Sequence, residues 1–401
     1  MTGGSATPGS GEASGGTEPS VTRERAPPAQ SRSIVAAPEA GEIRPLERRD
    51  LARIAGLYEL VMRSGSREPP PGLQPFFERT LLDHPWADPD IPSLVYEDAG
   101  GELLGFIGSH VRRFRFDGNP VRLAWTGPFL RDPSSPKKAV GALLMHRYLQ
   151  GPQHATLTDG ATEVVRRLMQ ALGGEVAHLR SLRWVRVLRP ASFTADWLSR
   201  RLGRKGLSHP PALVRAVEDL VARRAVAGAA EAGVEVERLQ PEALAEFLPS
   251  IAGRLRCYPD YDEPFARWLL HELERVKSRE VLMASLVRDP QGGVAGWYVC
   301  FLPPNGRCVL LQLVASRGAA GNVIDHLFSE AHASGAISVE GRVEPGLLEA
   351  LGTRRVVLRY WGATLIHSRS PDLLGALLSS RSLITNLDGE SWMALNVEPF
   401  S

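Results

Sequence analysis

The sequence has little of what marks secreted, metal-binding or membrane-spanning proteins. Only three of its 401 residues are cysteines, Cys257, Cys300 and Cys308, and no two of them have a CxxC spacing. An odd number of scattered cysteines argues against a disulfide scaffold or a zinc site and favours a reducing environment. No apolar run approaches the ~20 residues that cross a bilayer, and the first residues do not resemble a secretory signal. We therefore expect a cytoplasmic protein with no metal site and no membrane span.

The net charge is also small. The chain carries 47 Lys and Arg residues against 45 Asp and Glu residues, which leaves +2 at pH 7. Proteins that bind nucleic acids usually concentrate positive charge, so we expect no nucleic-acid partner. A hydrophobic content of 43% and a charged content of 23% are ordinary for a globular protein, and the length allows one to three domains.

The first forty residues differ in composition from the rest. Residues 1–40 are rich in Gly, Ser, Thr, Pro and Ala and have no periodic apolar pattern. Such a segment buries too little apolar surface to offset its chain entropy, so we predict a disordered tail. Ordered structure is expected to begin at residue 41, with a short strand over Ile43–Leu46 and a helix capped by Asp50.

The rest of the N-terminal half alternates between strands and helices. Three apolar runs are separated by "DAGG" and "DGN", which suit hairpin turns, so they predict an antiparallel meander whose third strand ends near Leu130. The stretch "RDPSSPKKAVGALLMHRYL" then predicts a loop and a helix. A strand in "ATLTDG" and a helix in "EVVRRLMQALGG" follow, and Gly173 and Gly174 are expected to end that helix.

The second half repeats this order. "VEVERLQPEALAEFL" matches "GEIRPLERRDLARIA", and "VEGRVEPGLLEALG" matches "TDGATEVVRRLMQALGG". Matches in the same order predict two copies of one fold, although one large mixed α/β domain with accidental similarity stays open. The predicted organisation is a tail (1–40), an N-terminal domain (41–190), a helical linker (191–230) and a C-terminal domain (231–401). The equivalent residues include Leu46 and Leu239, Gly105 and Gly296, Asp159 and Glu340, and Gly160 and Gly341.

This order of elements, with a loop and helix after the fourth strand and a helix ending in "ALGG", resembles the GNAT (GCN5-related N-acetyltransferase) superfamily. The resemblance implies an α/β fold with a mixed sheet in each of two GNAT-like acyl-CoA N-acyltransferase domains, arranged in tandem as an internal pseudo-dimer. In that superfamily the sheet opens between its fourth and fifth strands, and acyl-CoA enters the opening. Tandem copies resemble both the mycothiol synthase kind of acetyltransferase and the aminoacyl-transferring enzymes of the Fem type.

The loop before the first of these helices resembles the superfamily's phosphate-binding motif, (Q/R)xxGx(G/A). Aligned on Gly141, the chain keeps the last glycine but has Ala139 at the middle glycine and Pro136 at the leading position. Lys137 and Lys138 would then supply the positive charge of the missing arginine. Because the first N–H groups of a helix lack partners and carry partial positive charge, a helix start suits a pyrophosphate.

The same loop also has an ordinary structural interpretation, in which Ser135 caps the helix and Pro136 is its first residue. The second half offers a weaker loop, "ASRGAAGNVIDHLF", in which Arg317, Gly318 and Gly321 have a different spacing. Under the resemblance, the acyl-CoA contacts of the first half are Phe129, Leu130, Arg131, Lys137, Lys138, Ala139, Val140, Gly141, Ala142 and Thr162.

Acyl transfer from a thioester to an amine requires a deprotonated amine, a stabilised oxyanion and a leaving thiolate. The resemblance implies an oxyanion donor among the backbone N–H groups of Phe129 to Arg131. It also implies a tyrosine that protonates the thiolate, at a position where this chain has Met169. Methionine cannot donate a proton, so the thiol with a pKa near ~8.5 would leave without that help.

Asp159, at the end of the predicted fifth strand, is the first candidate for the catalytic base. Its structural alternative is a turn with Gly160 that caps the next helix. His110, on the second strand of the meander, is the second candidate, and its alternative is a histidine that is merely solvated or hydrogen-bonded. His146 is expected to be exposed on the helix after the loop.

Two further stretches have competing interpretations. In "RSLRWVRVLRP" the arginines recur every third residue from Arg180, which predicts either solvated side chains or contacts with an anionic substrate. The stretch "LITNLDGESWMAL" predicts a C-terminal hairpin, with Trp392 and Met393 buried between the two domains. In tandem GNAT-like chains a late strand can complete the sheet of the other copy.

The sequence therefore favours an enzyme that transfers an acetyl or other acyl group from acyl-CoA to a small-molecule amine. Two alternatives stay open. One is a Fem-type transferase that uses aminoacyl-tRNA, which the small net charge disfavours. The other is a catalytically silent acyl-CoA-binding or scaffold protein, which Met169 and the altered phosphate motif favour.

Overall fold

The computed structural model describes residues 41–63, 65–202, 214, 218, 235–276, 281–303 and 306–393. The predicted tail (1–40) and most of the predicted linker (191–230) lie outside the described residues. Residues 40–401 belong to one compact unit. The predicted domain boundaries stay predictions.

The described residues form fifteen β-strands, numbered here in chain order. They are β1 (Gly41–Pro45), β2 (Leu94–Asp98), β3 (Leu103–Phe116), β4 (Asn119–Arg131), β5 (Ala155–Ala161), β6 (Glu175–Val176), β7 (Leu182–Val187), β8 (Glu235–Arg238), β9 (Cys257–Pro259), β10 (Val281–Arg288), β11 (Val294–Leu302), β12 (Arg307–Ala315), β13 (Ser338–Arg342), β14 (Val357–Tyr360) and β15 (Ala363–His367).

Ten α-helices accompany these strands in the described residues. They are α1 (Leu51–Tyr58), α2 (Leu73–Phe77), α3 (Val140–Leu149), α4 (Glu163–Ala171), α5 (Pro190–Leu202), α6 (Pro241–Ala252), α7 (Glu263–Val276), α8 (Ala320–Ala333), α9 (Leu348–Gly352) and α10 (Pro371–Leu378). None of the helices in the described ranges has the length and apolarity of a membrane span.

The strands form two mixed sheets with equivalent strand orders. The first has the order β1-β2-β3-β4-β5-β15-β6, with β9 paired to β3, and the second has the order β14-β7-β13-β12-β11-β10-β8. In each sheet an antiparallel meander meets its next strand in parallel, β4 with β5 in the first and β12 with β13 in the second. The predicted duplication of one fold is therefore confirmed.

The two halves exchange strands. β15 follows the second half in the chain but pairs antiparallel with β5 of the first sheet, and β7 follows the first half but pairs antiparallel with β13 of the second. A late strand thus crosses, but it is β15 and not part of the stretch "LITNLDGESWMAL" for which the crossing was predicted, and β7 makes the reciprocal crossing. A shared hydrophobic core accompanies the exchange, since Phe77 and Trp86 belong to the same buried cluster as Phe265 and Trp297.

The meander has its predicted turns. Gly101 and Gly118 have φ of 80° and 81°, a region that glycine adopts without steric cost. The third meander strand, β4, ends at Arg131. Gly173, with φ of 90°, follows α4, and the Gly174 N–H donates to Met169 O at 2.8 Å, which ends that helix as predicted.

Three local predictions were wrong. Helix α3 begins at Val140 and not at Pro136, because residues 133–139 form turns, one of which places the Lys137 N–H 3.2 Å from Ser135 Oγ. Asp50 precedes α1, but its carboxylate accepts from the Glu47 N–H at 3.0 Å and does not bond to that helix. The C-terminal hairpin is absent from the described residues, where 383–390 run without strand pairing.

Candidate active site

The first sheet opens between β4 and β5. The two strands pair only where Leu123, Ala124 and Trp125 oppose residues 155–157. Beyond Trp125, β4 continues to Arg131 along β3 while β5 diverges from it. We call this opening, bounded by residues 126–131 and 158–161, the first gap.

Strand alternation directs two backbone N–H groups of β4 into the first gap. The Asp132 N–H donates to Leu104 O at 2.9 Å, on the side of β3. Because successive residues of a strand point their N–H groups to opposite sides, the N–H groups of Phe129 and Arg131 point away from β3. Two of the three N–H groups predicted to contact acyl-CoA or stabilise the oxyanion, those of Phe129 and Arg131, therefore face the gap.

The predicted phosphate loop lies at the outer end of this gap. Phe129 contacts Gly141, whose missing side chain leaves room for the ring at 3.3 Å from an ideal Cβ. Lys138 and Ala142 are exposed, and Lys137 lies half-buried over the ring of Tyr96. The structure thus brings residues 129–131 and 137–142 together.

The first turn of α3 offers unpaired N–H groups in the same place. Ala139 caps α3, and the Leu143 N–H is the first to bond four residues back, to Ala139 O at 2.9 Å. The preceding N–H groups of Gly141 and Ala142 have no such carbonyl within the helix. Lys137 and Lys138 precede these N–H groups in the chain, and their predicted contact with a phosphate stays a prediction.

Asp159 is buried in a network and does not cap the next helix. Its Oδ1 lies 2.7 Å from Arg342 Nη1, and its Oδ2 accepts from Trp125 Nε1 at 3.2 Å. Thr162 fills the capping role that the alternative gave to Asp159, since its Oγ1 accepts from the Val165 N–H at 3.4 Å. Thr162 therefore has a structural role, and its predicted contact with acyl-CoA stays a prediction.

His110 is also buried, and its ring is already engaged. Its Nε2 lies 2.6 Å from Gly127 O, so the neutral ring donates this proton to the carbonyl. Burial and the charge of Arg112 lower the pKa of His110 to about 3. This geometry favours a structural role across β3 and β4, and a catalytic role for His110 stays a prediction. His146 is exposed, as predicted.

A carboxylate that carries no signal in the sequence, Glu390, lies against Gly127 of β4, which borders the first gap. A side chain at position 127 would overlap this carboxylate, so in this arrangement Gly127 makes room for it. Among the described residues, no hydrogen bond or ion pair occupies the Glu390 carboxylate. Burial, and after it the negative charge of Asp159, raise the pKa of Glu390 well above its usual range.

Glu390 arrives on an irregular segment, residues 382–390, which we call the C-terminal segment. Three buried arginines fix its backbone: Arg180 Nη2 donates to Ser382 O at 2.9 Å, Arg342 Nη2 donates to Ile384 O at 2.8 Å, and Arg112 Nε donates to Asp388 O at 2.9 Å. Of the two predictions for Arg180, solvation is wrong, because this side chain is buried.

Side chains at the end of the C-terminal segment add to this anchoring. Asp388 Oδ2 accepts from the Thr385 N–H at 2.8 Å and from Thr385 Oγ1 at 2.6 Å, and its Oδ1 accepts from the hydroxyl of Tyr261. Trp392 and Met393 are buried just beyond, in the core cluster that the two halves share. Their predicted burial is confirmed, although no hairpin carries them.

Two side chains, Tyr58 and Met169, can be compared with the tyrosine that protonates the thiolate in the superfamily. Tyr58 is buried, and burial together with the charge of Glu390 raises its pKa, so the phenol stays protonated at neutral pH. Met169, at the position where the superfamily has its tyrosine, is fully buried in the core. Among the described residues, no group of three or more His, Cys, Asp or Glu side chains is placed to hold a metal ion.

No family profile matches the chain, and no curated protein matches it in sequence. Solved structures do match. A protein of unknown function from Enterococcus faecalis V583, described as a probable N-acyltransferase, has a TM-score of 0.53 at 11% identity. The aligned region spans 82% of this chain and 73% of that protein.

Two GCN5-related N-acetyltransferases are similar to the same extent. Those from Kribbella flavida and Anabaena variabilis ATCC 29413 each have a TM-score of 0.52, at 14% and 13% identity. In both cases the aligned region spans 82% of this chain and 72% of the other. At such identities the likeness establishes the fold. This chain therefore has the fold of the GCN5-related N-acetyltransferase superfamily, in two copies that exchange strands.

Proposed function

We propose that the protein transfers an acyl group from acyl-CoA to the amine of a small-molecule acceptor, with the first gap as its active site. The observation that carries this proposal is the Glu390 carboxylate, which lies unpaired against Gly127 where the sheet opens. Glu390 is half-buried, and a carboxylate that is partly removed from water without a donor loses hydration that no hydrogen bond replaces. An active-site base commonly has such a raised pKa.

The donor would lie in the first gap with its phosphates at the start of α3. Lys137, Lys138 and the N–H groups of Gly141 and Ala142 would bind the pyrophosphate. The pantetheine arm would follow β4, where the N–H groups of Phe129 and Arg131 face the gap. One of these two groups would stabilise the oxyanion of the tetrahedral intermediate.

Glu390 would act as the general base. The acceptor enters as an ammonium group, gives one proton to the Glu390 carboxylate and attacks the thioester carbonyl as the free amine. A C–N bond forms and the C–S bond breaks. The attacking nitrogen gives its second proton to the leaving thiolate, and Glu390 returns the first proton to water, so charge and protons balance. The raised pKa of Glu390 suits this exchange, because a carboxylate of raised pKa accepts a proton more readily than an ordinary one.

The test is release of CoA thiol from acetyl-CoA in the presence of a panel of amines. We expect Glu390→Gln to lower kcat by at least about 100-fold, because general bases contribute about 10²- to 10⁴-fold, while CoA affinity stays within about twofold of the wild type. The matched control is Glu246→Gln, which makes the same change at an exposed position of α6.

Two results would contradict the proposal. Full activity of Glu390→Gln would remove Glu390 as the base. CoA binding without thiol release for any amine would favour the silent acyl-CoA-binding protein, and failure to bind CoA at all would leave the Fem-type transferase as the remaining candidate.

A further inference from the structure

Three arginines lie side by side on one face of the second sheet. Arg183 of β7 is opposite Arg342 of β13 on one side and opposite Arg359 of β14 on the other. Residues that oppose each other in antiparallel strands point to the same face, with Cβ atoms about 4.5 to 5.5 Å apart. Guanidinium groups this close repel each other unless carboxylates offset their charge. We call these three residues the arginine row.

The two outer arginines of the row have carboxylate partners. Arg342 Nη1 lies 2.7 Å from Asp159 Oδ1, and its Nε lies 3.3 Å from Glu344 Oε1. Arg359 donates to the carboxylate of Glu340, which is buried. The charges of the outer arginines are therefore offset by groups of the protein itself.

The middle arginine, Arg183, lacks such a partner. It is half-buried, and among the described residues no oxygen accepts a hydrogen bond from its guanidinium group. Burial lowers the pKa of Arg183 to about 10; the charge of Glu340 opposes this shift, and the charges of Arg359 and Arg342 add to it. Arg183 stays protonated at neutral pH, so its positive charge is partly removed from water without an anion of its own.

Trp361 holds the middle arginine at the border of the first gap. The Arg183 guanidinium stacks on the indole, with Cζ 3.6 Å from the ring centroid. The same ring lies against Gly160 of β5, since an ideal Cβ at position 160 would be 2.9 Å from Trp361 Cζ3. Stacking leaves the edge of the guanidinium plane open, and the N–H donors of arginine lie along that edge.

The charge of the row suits an anion with a single negative charge. One guanidinium without a partner is neutralised by one carboxylate, whose two oxygens match the guanidinium edge in bidentate geometry. A phosphate monoester carries about −1.5 to −2 at pH 7 and would leave negative charge uncompensated. The phosphates of the proposed donor are in any case assigned to the start of α3, beside β4, whereas Trp361 borders the gap at β5.

We propose that Arg183 binds a carboxylate of the acceptor, so that the acceptor is an amino acid or another amine with a carboxylate group. This inference rests on the proposed acyl transfer and names its acceptor class. The acceptor's ammonium group would meet Glu390 while its carboxylate pairs with the open edge of Arg183. Arg183 thereby receives the contact with an anionic substrate that the spacing of its stretch predicts, and it takes no part in proton transfer.

The test compares amino acids with their carboxamides as acceptors. Glycine, 3-aminopropanoate, 4-aminobutanoate and phenylalanine are each paired with the carboxamide, which keeps the size and removes the negative charge. For the best acceptor we expect kcat/KM of the amino acid to exceed that of its carboxamide at least about tenfold, because hydrogen bonds between charged groups are the strong ones.

Arg183→Met should reduce this preference to less than about twofold, mainly through KM, while turnover of the carboxamides stays within about twofold of the wild type. Arg183→Lys should keep part of the preference, because it retains the charge but not the bidentate edge. The matched control is Arg186→Met, the same change on the opposite face of β7, where the guanidinium lies 6.0 Å from the ring centroid of Phe328. It should leave the preference unchanged.

Equal use of amino acids and carboxamides by the wild type would overturn the inference and leave acyl transfer intact. An equal loss for both compounds in Arg183→Met would also overturn it, because it would show a structural role. Melting curves with CoA and each compound give a readout without turnover. A shift that only the amino acid produces and Arg183→Met loses would support the carboxylate site even if acyl transfer fails, and absence of both shift and turnover would overturn both proposals.

Discussion

At the residue scale, the candidate site depends on which carboxylate forms an ion pair and which one has no hydrogen-bond partner. Asp159 and Glu390 lie in the same gap, but Asp159 is bound by Arg342 at 2.7 Å and by Trp125, whereas Glu390 has no partner among the described residues. The oxygens of a paired carboxylate already accept from other donors, so they are less available to an incoming ammonium group. Glu390 is therefore the better candidate for the base, and the negative charge of Asp159 helps to raise its pKa.

The substitution Asp159→Asn tests whether Asp159 is the base or only raises the pKa of Glu390. The substitution removes the negative charge that helps to raise the pKa of Glu390 and leaves Arg342 positive, so the pKa of Glu390 falls. Since the base must be deprotonated, the acid limb of the kcat profile moves to lower pH, and we expect activity to persist. Thiol release measured from pH 5 to 9 checks this.

Asp325→Asn, which breaks the ion pair with Arg354 in the second half, is the control and should leave the acid limb in place. Loss of activity at every pH in a folded Asp159→Asn protein would instead make Asp159 itself the base.

At the element scale, the gap follows from how β4 and β5 are paired. Only three residue pairs join them, and beyond Trp125 the carboxylate of Glu390 lies against Gly127 of β4. The start of α3 then lies at the outer end of the gap, with two lysines just before it. The start of α3 thus presents two kinds of positive charge at the outer end of the gap: partial charge from the helix N–H groups and full charge from the lysine side chains.

Lys137→Ala/Lys138→Ala tests this element. In the wild type, CoA at a hundred times its dissociation constant should stabilise the folded protein by about 2.7 kcal/mol, which a melting curve detects. We expect the double variant to lose most of this shift at the same CoA concentration, because the phosphates lose two charged partners. Arg166→Ala/Arg167→Ala, on the outer side of α4, is the control, and an equal loss there would point to a general charge effect.

At the scale of the whole molecule, the two halves are joined by exchanged strands and by buried charge. Arg180, between β6 and β7, donates to Glu344 of the second half at 2.6 Å and also holds the C-terminal segment at Ser382. Removal of one member of a buried pair leaves the other charge uncompensated, which is strongly destabilising. Folding of the two halves is thereby coupled to the placement of Glu390.

Arg180→Met should lower the free energy of unfolding by about 3 kcal/mol, the lower end of the range for breaking a buried pair, since Arg342 still contacts Glu344. Arg180→Met/Glu344→Met should recover part of that loss, because no uncompensated carboxylate remains. Urea unfolding measures both. A double variant no more stable than the single one would mean that packing and the bonds to Ser382, and not the charge pair, set the cost.

The sequence by itself determined the meander, the loop before α3 and the duplication, because turn glycines, apolar periodicity and collinear matches are local signals. It also placed Asp159 and residues 129–131 and 137–142 at one gap, through the resemblance of that order to a known superfamily. Local patterns did not fix the start of α3, where "SSPKKA" is compatible with a helix or with turns.

Only the tertiary structure decided which carboxylate stands free. Glu390 lies 231 positions after Asp159 in the chain, and "LDGES" carries no signal beyond a turn. Its place depends on Arg112, Arg180 and Arg342, which come from three different elements and hold an irregular segment in the gap. Contacts of this range have no periodicity for a sequence to display, since they arise only once two sheets have formed and exchanged their strands.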